Sequence, residues 1–335
     1  GYLVNDQNNE SLTQEIRLSG STDRINWTLG GFWQESEEFW DFYTYVDDYR
    51  NSAAFEYWSY YYPGIAPTDA WWNSYQSTER TDKAVFGEMD IVLLEDRLTA
   101  ILGGRWYEVD RELSYTVERP DARVDQQLPD RGASDDGFIP KYGLELQVLE
   151  DVMVYGSYAT GFHSGGFYGK NQRLVDYAIT YDPEEIESLE LGAKMEFLNN
   201  RVRLNVAAFS SNVEKLQAIT TLPADDGTAV SVPFNVGEVE YQGFEIEGLA
   251  RITDGFTLSG AIGILDAEYK SFDADLSSTQ GGNPVDNSYL KPKQAPDLTV
   301  GVTANYTAEA FGGLLLTDLT YSWTDDFYTQ EDNDP

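Results

Sequence analysis

The one histidine of this 335-residue chain, His163, is the first place to look for chemistry. It lies in the run Gly161-Phe162-His163-Ser164-Gly165-Gly166-Phe167. A serine-histidine-acid relay would rest on it alone, and neither a GxSxG elbow nor a phosphate-cradling P-loop accompanies it. With no cysteine and no second histidine, the chain is poorly equipped to build a transition-metal site. Carboxylates can hold Ca²⁺, but the DxDxDG spacing of an EF-hand is missing. Among 58 Asp and Glu residues, any acid–base pair picked from sequence would be arbitrary. The sequence therefore predicts no catalytic residue, no metal ligand and no cofactor. His163 reads first as a loop residue and second as a ligand contact, with Phe162 and Phe167 beside it. The glycines around it serve the geometry of the loop.

Binding chemistry has a better candidate. The stretch Trp40–Tyr75 holds Phe55, Tyr57, Trp58, Tyr60, Tyr61, Tyr62, Trp71, Trp72 and Tyr75 among few positive charges. Dense rings on an exposed loop suit a surface that packs on a flat or apolar ligand. The competing reading is that they pack on one another to hold a long loop down. The candidate ligand-binding residues are thus Trp58, Tyr60, Tyr61, Tyr62, Trp71, Trp72 and Tyr75, with Phe162, His163 and Phe167 from the shorter stretch.

The elements that must carry these residues show a period of two. Leu189, Leu191, Ala193, Met195 and Phe197 fall on one face, and Glu190, Gly192, Lys194 and Glu196 on the other. After Asn199-Asn200, a pair that tolerates the positive φ of a tight hairpin, Val202, Leu204, Val206 and Ala208 oppose Arg201, Arg203 and Asn205. Tyr142, Leu144, Leu146 and Val148 oppose Lys141, Glu145 and Gln147. Leu98, Ala100, Leu102 and Trp106 oppose Thr99 and Arg105, and Phe244 and Ile246 oppose Glu245 and Glu247. A helix cannot have this period. A soluble core has no use for the charged face, whereas lipid outside and water inside satisfy both faces.

Connections support the same architecture. Short turns near Thr22-Asp23, Glu95-Asp96, Glu150-Asp151, Asn199-Asn200, Asp254-Gly255 and Gly312-Gly313 alternate with long polar stretches. The long ones run over Ser36–Arg80, Asp110–Gly137, His163–Glu184, Ala218–Phe234 and Ser271–Pro292. Tight turns on one side and long loops on the other describe an outer-membrane barrel with periplasmic turns and extracellular loops. The fold class expected is therefore all-β: part of a transmembrane antiparallel up-and-down β-barrel, with about twelve or thirteen strands present and several long enough to project above the membrane. No helical periodicity competes.

Composition agrees. The chain has 23 Tyr, 8 Trp and 16 Phe, enough for aromatic girdles at both membrane interfaces. No apolar run approaches the ~20 residues of a transmembrane helix. A net charge of −36 excludes nucleic acid, whose phosphates would be repelled. It equally excludes an anionic lipid surface held by a basic patch. Acid clusters such as Asp47-Asp48, Asp225-Asp226 and Asp325-Asp326 read chiefly as solubility in an acidic habitat. A role with divalent cations or lipopolysaccharide is the weaker reading.

Particular segments carry a family likeness. Tyr155–Phe167 (YGSYATGFHSGGF), Tyr181-Asp182-Pro183-Glu184 and Leu189-Glu190-Leu191-Gly192-Ala193-Lys194 resemble the barrel of TonB-dependent outer-membrane receptors. So do Asn235-Val236-Gly237 before Gly243-Phe244-Glu245-Ile246-Glu247, and Gly103-Gly104-Arg105-Trp106-Tyr107. Together they cover most of Ser11 to Thr329. The resemblance implies a barrel of about 22 strands around a plug domain. It also implies residence in the bacterial outer membrane and uptake energised by the TonB complex acting on the plug. Typical cargo is a ferric siderophore; vitamin B12, haem and oligosaccharides are others. The chain shows no plug, no TonB box and neither the first nor the last barrel strands, so residues 1–335 are expected to be a central barrel segment. Lys141, Glu145, Lys194, Arg203, Glu245 and Glu247 are expected to line the watery interior.

Two functions of other classes compete with active uptake. One is a passive porin-like channel. The other is a non-transporting surface β protein that binds carbohydrate.

Overall fold

Alternation of this kind builds a single antiparallel wall in a computed structural model of the chain. The structure describes residues 1–61, 70–94, 97–119, 124–127, 131–168, 179–223, 229–277 and 283–334. Its strands are β1 (Tyr2–Ser21), β2 (Ile25–Tyr45), β3 (Ala70–Leu93), β4 (Leu98–Arg119), β5 (Val124–Gln127), β6 (Arg131–Leu149), β7 (Val152–His163) and β8 (Gly166–Tyr168). They continue as β9 (Ile179–Tyr181), β10 (Glu184–Phe197), β11 (Val202–Pro223), β12 (Ala229–Thr253), β13 (Phe256–Ala274), β14 (Val285–Asp286), β15 (Leu298–Ala310) and β16 (Gly313–Thr324). Twelve of them pair in the order β1-β2-β3-β4-β6-β7-β10-β11-β12-β13-β15-β16, an up-and-down meander. β5 and β14 extend β4 and β13 at their upper ends, and β8 pairs only with β9. β1 and β16 are the two edges, so the wall is an open arc of a barrel.

The two faces sort as the sequence requires. Leu191 is 59% exposed and Phe244 61% on the outer face, where acyl chains replace water. On the inner face Lys141 bonds Glu88 at 2.8 Å, Arg203 bonds Glu196, and the Tyr155 hydroxyl donates to Glu190 at 2.5 Å. Such pairs would be expensive in hydrocarbon and are ordinary in a wet lumen.

Among the described residues the turns are tight where expected; the one at Glu95-Asp96 lies outside them. Leu198, Asn199 and Asn200 all have positive φ (55°, 56° and 60°), and Gly312 does too at 77°. The long connections need correction. Pairing of β2 with β3 persists to Tyr45 and Ala70, so Phe39, Trp40, Phe42, Tyr43 and Tyr75 are strand residues, not loop. Likewise β4 runs to Arg119 and β6 starts at Arg131, while β11 runs to Pro223 and β12 starts at Ala229. Above the bilayer both faces of a hairpin meet water, and the apolar–polar alternation that marks a strand disappears although the ladder continues. Only the connection from His163 to Glu184 ends where the sequence placed it.

A helix also appears that periodicity did not announce: α1, Ala53–Tyr61. Ser52 caps it by accepting the amide of Phe55 at 3.1 Å. No helix among the described residues is long and apolar enough to cross a membrane.

Buried apolar side chains gather in the upper, inward-facing parts of the wall. One cluster holds Val239, Tyr269, Phe272 and Ala274 of β12 and β13 with Val213 of β11. Another holds Ala84, Tyr107 and Val109 of β3 and β4, with Phe32, Ile139 and Phe162 packed against them.

Candidate ligand-binding mouth

Strands β2, β3 and β4 present a lumenal row to the upper mouth, and the β8–β9 hairpin folds inward beside it. Together they enclose a concave space of about 790 Å³ lined by Gln34, Arg80, Arg111, Phe162, Tyr181 and Gln217, among others. Arg80 and Arg111 are direct cross-strand partners. Arg80 is chelated by Asp82 through Nε and Nη2, both at 2.7 Å, and Nη2 also donates to the Ser164 hydroxyl at 3.2 Å. Arg111 donates from Nη2 to Asp135 at 2.5 Å. Lower on the same face, the Arg105 guanidinium lies 5.2 Å from the centre of the Phe32 ring and 6.0 Å from that of Phe86.

The hairpin is pinned at both of its feet. Gln217 Nε2 donates to the carbonyls of Ser164 at 3.1 Å and Asp182 at 3.0 Å. Asn235 donates to the Asp182 carbonyl at 3.0 Å and accepts its amide at 2.6 Å. Gly165 and Gly166 are needed for close approach: a Cβ on the first would collide with the Tyr181 carbonyl, and on the second would lie 2.6 Å from the Tyr181 hydroxyl. Burial pushes the Tyr181 hydroxyl above its usual pKa, and the nearby Arg111 charge opposes that rise.

Of the residues singled out from sequence, Phe162, His163 and Phe167 meet on this surface. The Phe162 ring lies flat on that of Tyr107, with centroids 3.6 Å apart and planes 4° apart. His163 is 68% exposed, and its Nδ1 stands 3.2 Å from Glu184. Tyr75 is in β3 with its ring edge-on to Tyr43 at 5.6 Å. By alternation Tyr75 shares the face of Val85, the outer one. Trp58, Tyr60 and Tyr61 belong to α1, and Trp71 and Trp72 to the start of β3. Their side chains, and the whole of Tyr62, lie outside the described residues. The described rings nearby pack on each other, Tyr43 on Tyr45 and Tyr49 on Phe55.

Sequence reasoning passed over Arg80, Arg111, Tyr181 and Gln217. Arg80 and Arg111 sit at or just inside the margins of the stretches taken for loops, and Gln217 one residue outside another. Continuing the alternation of β4 upward from Arg105 through Tyr107 and Val109 would have placed Arg111 on the lumenal face. No group of three or more His, Asp or Glu near enough to hold a metal ion occurs among the described residues.

An inner wall of ion pairs, an outer wall of exposed leucines and a meander of long strands define a β-barrel of the bacterial outer membrane. The model of the TonB dependent receptor-like, beta-barrel family matches residues 1–335, and the chain belongs to that family. It is 28% identical over 234 residues to the probable TonB-dependent siderophore receptor PiuA of Acinetobacter baumannii, covering 63% of this chain and 29% of that protein. It is 24% identical over 195 residues to the metal-pseudopaline receptor CntO of Pseudomonas aeruginosa, covering 57% of this chain and 25% of that one. In structure it resembles the ferric yersiniabactin uptake receptor FyuA from Yersinia pestis, with a TM-score of 0.74 and 18% identity, over 99% of this chain and 45% of the other. The chain thus spans less than a third of the length of these two curated relatives.

Proposed function

We propose that the chain forms the central part of the barrel of an outer-membrane receptor that imports a scarce nutrient, a ferric siderophore or a closely similar metal chelate. The observation that carries this reading is the mouth itself. A family barrel places arginines Arg80, Arg105 and Arg111 and the stacked Tyr107–Phe162 pair on its lumenal side, under an inward-folded hairpin. Guanidiniums and flat aromatic faces suit a chelate that is partly anionic and partly planar. The names of the relatives, a siderophore receptor and a metal-pseudopaline receptor, point the same way.

In this reading the full barrel has about 22 strands. A plug domain beyond these residues closes it, and the TonB complex drives uptake through that plug. Outer-membrane lipid, with lipopolysaccharide in the outer leaflet, surrounds the wall. Lys141, Lys194, Glu245 and Glu247 face the plug. The aromatic segment holding Trp58, Tyr60, Tyr61, Tyr62, Trp71 and Trp72 supplies a second cargo contact above the mouth, and His163 and Phe167 a contact at its rim.

The test uses the full-length receptor in its native membrane. Growth on a ferric siderophore as the sole iron source, lost on deletion of the gene and on loss of TonB, supports the reading. An open, ohmic pore in planar bilayers together with TonB-independent growth would establish the porin-like channel instead. Folding to a soluble form without detergent would favour the carbohydrate-binding surface protein.

A further inference from the structure

The least explained polar group at the mouth is the guanidinium of Arg111. Its side chain retains 7% exposure in the middle of a wall that is otherwise wet. Nη2 is taken by Asp135, while Nε and Nη1 have neither a hydrogen-bond partner among the described residues nor contact with solvent. Buried donors without partners are rare in proteins, and those that occur commonly mark a place for a water or a ligand. Two of the three nitrogens of a permanent cation are therefore left waiting for an acceptor.

The surroundings say which kind of acceptor. Arg80 is held in register with Arg111 across the β3–β4 ladder, a placement that sets two positive charges side by side. Asp82 engages Arg80 from two nitrogens, but Asp135 reaches Arg111 through only one. Glu38 is the other carboxylate on the concave surface, with Arg105 below as a third guanidinium. Three guanidiniums stand against Glu38 and Asp82 on the concave surface and against Asp135 and Glu184, which bond its lining residues, so this patch is close to balanced in a chain whose net charge is −36. Tyr181 of the β8–β9 hairpin stands within electrostatic reach of Arg111.

We infer that Arg111 is the anion anchor of this mouth, a specificity-determining residue that docks an oxyanion of the cargo, a free carboxylate on the metal chelate being the form it selects. The inference rests on the uptake reading above and adds the class of chelate. Asp135 acts as the positioning residue, holding the guanidinium through Nη2 and leaving Nε and Nη1 unpartnered among the described residues.

The experiment titrates full-length receptor with iron(III) citrate and with a neutral iron(III) trihydroxamate, following quenching of tryptophan fluorescence. It compares the unaltered protein with Arg111→Gln and Arg111→Lys. The expected result is a loss of citrate affinity of about tenfold or more in Arg111→Gln, with the trihydroxamate within about twofold of the unaltered protein. Arg111→Lys, which keeps the charge but not the fork, should fall between. Equal losses for both chelates would assign Arg111 a structural role and overturn the inference, as would unchanged citrate binding. Should the glutamine variant not fold, the lysine variant carries the same comparison: a loss confined to citrate supports the anchor, and a parallel loss rejects it. If the unaltered receptor does not bind iron(III) citrate, the inference falls, whereas the uptake reading falls only with loss of the TonB-dependent growth described above. Intact binding with unaltered selectivity removes the inference alone.

Discussion

Arg80 and Arg111 face each other across β3 and β4, two like charges in register on the lumenal wall. Such a pair is destabilising on a bare sheet. Here each guanidinium is met by a carboxylate from its own neighbourhood, Asp82 two residues along β3 and Asp135 on β6. Arg80 is further tied to Ser164, and through it the β7–β8 corner is joined to β3.

Replacing Asp135 by Asn should therefore cost more than a surface ion pair does. Arg111 and Asp135 keep 7% and 15% of their side-chain exposure, so the change strands a buried cation. A loss of roughly 3–5 kcal/mol is expected in urea unfolding from lipid vesicles. A loss below about 1 kcal/mol would show that water reaches the guanidinium.

The hairpin at the mouth depends on two residues without side chains. Gly166→Val should drive Tyr181 out of its seat, since even a Cβ would come 2.6 Å from that hydroxyl. Limited proteolysis of intact cells is expected to cut residues 164–183 many times faster in the variant, with the barrel itself undigested. Equal cleavage rates would mean that Gln217 and Asn235 hold the hairpin without help from the close packing.

The turn after β10 holds Leu198, Asn199 and Asn200 in the left-handed region. Asn200→Val puts a β-branched residue at a φ of 60° and should cost about 1–3 kcal/mol. Asn200→Gly should be neutral or slightly stabilising. Unfolding midpoints of the two variants, compared at equal lipid ratio, check the ordering.

The wall itself can be probed by reversing the solvent each face expects. Leu191→Arg on the outer face should impede folding into vesicles by about 2–4 kcal/mol if the site lies near the bilayer midplane. Glu245→Gln on the inner face should change stability by less than about 0.5 kcal/mol. The opposite order would mean that the faces are assigned the wrong way round.

Much of the wall was legible beforehand because its signal is local. Leu189 to Phe197 and Val202 to Ala208 announce their strands and their facing without knowledge of any partner. Loop boundaries were not legible, since Phe39 to Tyr45 and Ala70 to Tyr75 pair above the bilayer, where no apolar face distinguishes in from out. Helix α1 was missed for a related reason. Nine residues crowded with rings show little one-sidedness, and its cap rests on Ser52 alone.

From the order of its amino acids this chain determines that it forms a membrane barrel wall, because a period of two and alternating connection lengths are properties of neighbours along the chain. Only the tertiary structure decides which side chains share the mouth. Arg80 and Ser164 lie 84 residues apart, and Gln217 meets Ser164 from 53 residues away. Those meetings follow from strand register and from how the hairpin folds inward. Both are set by pairing across the sheet, which no single stretch of sequence encodes.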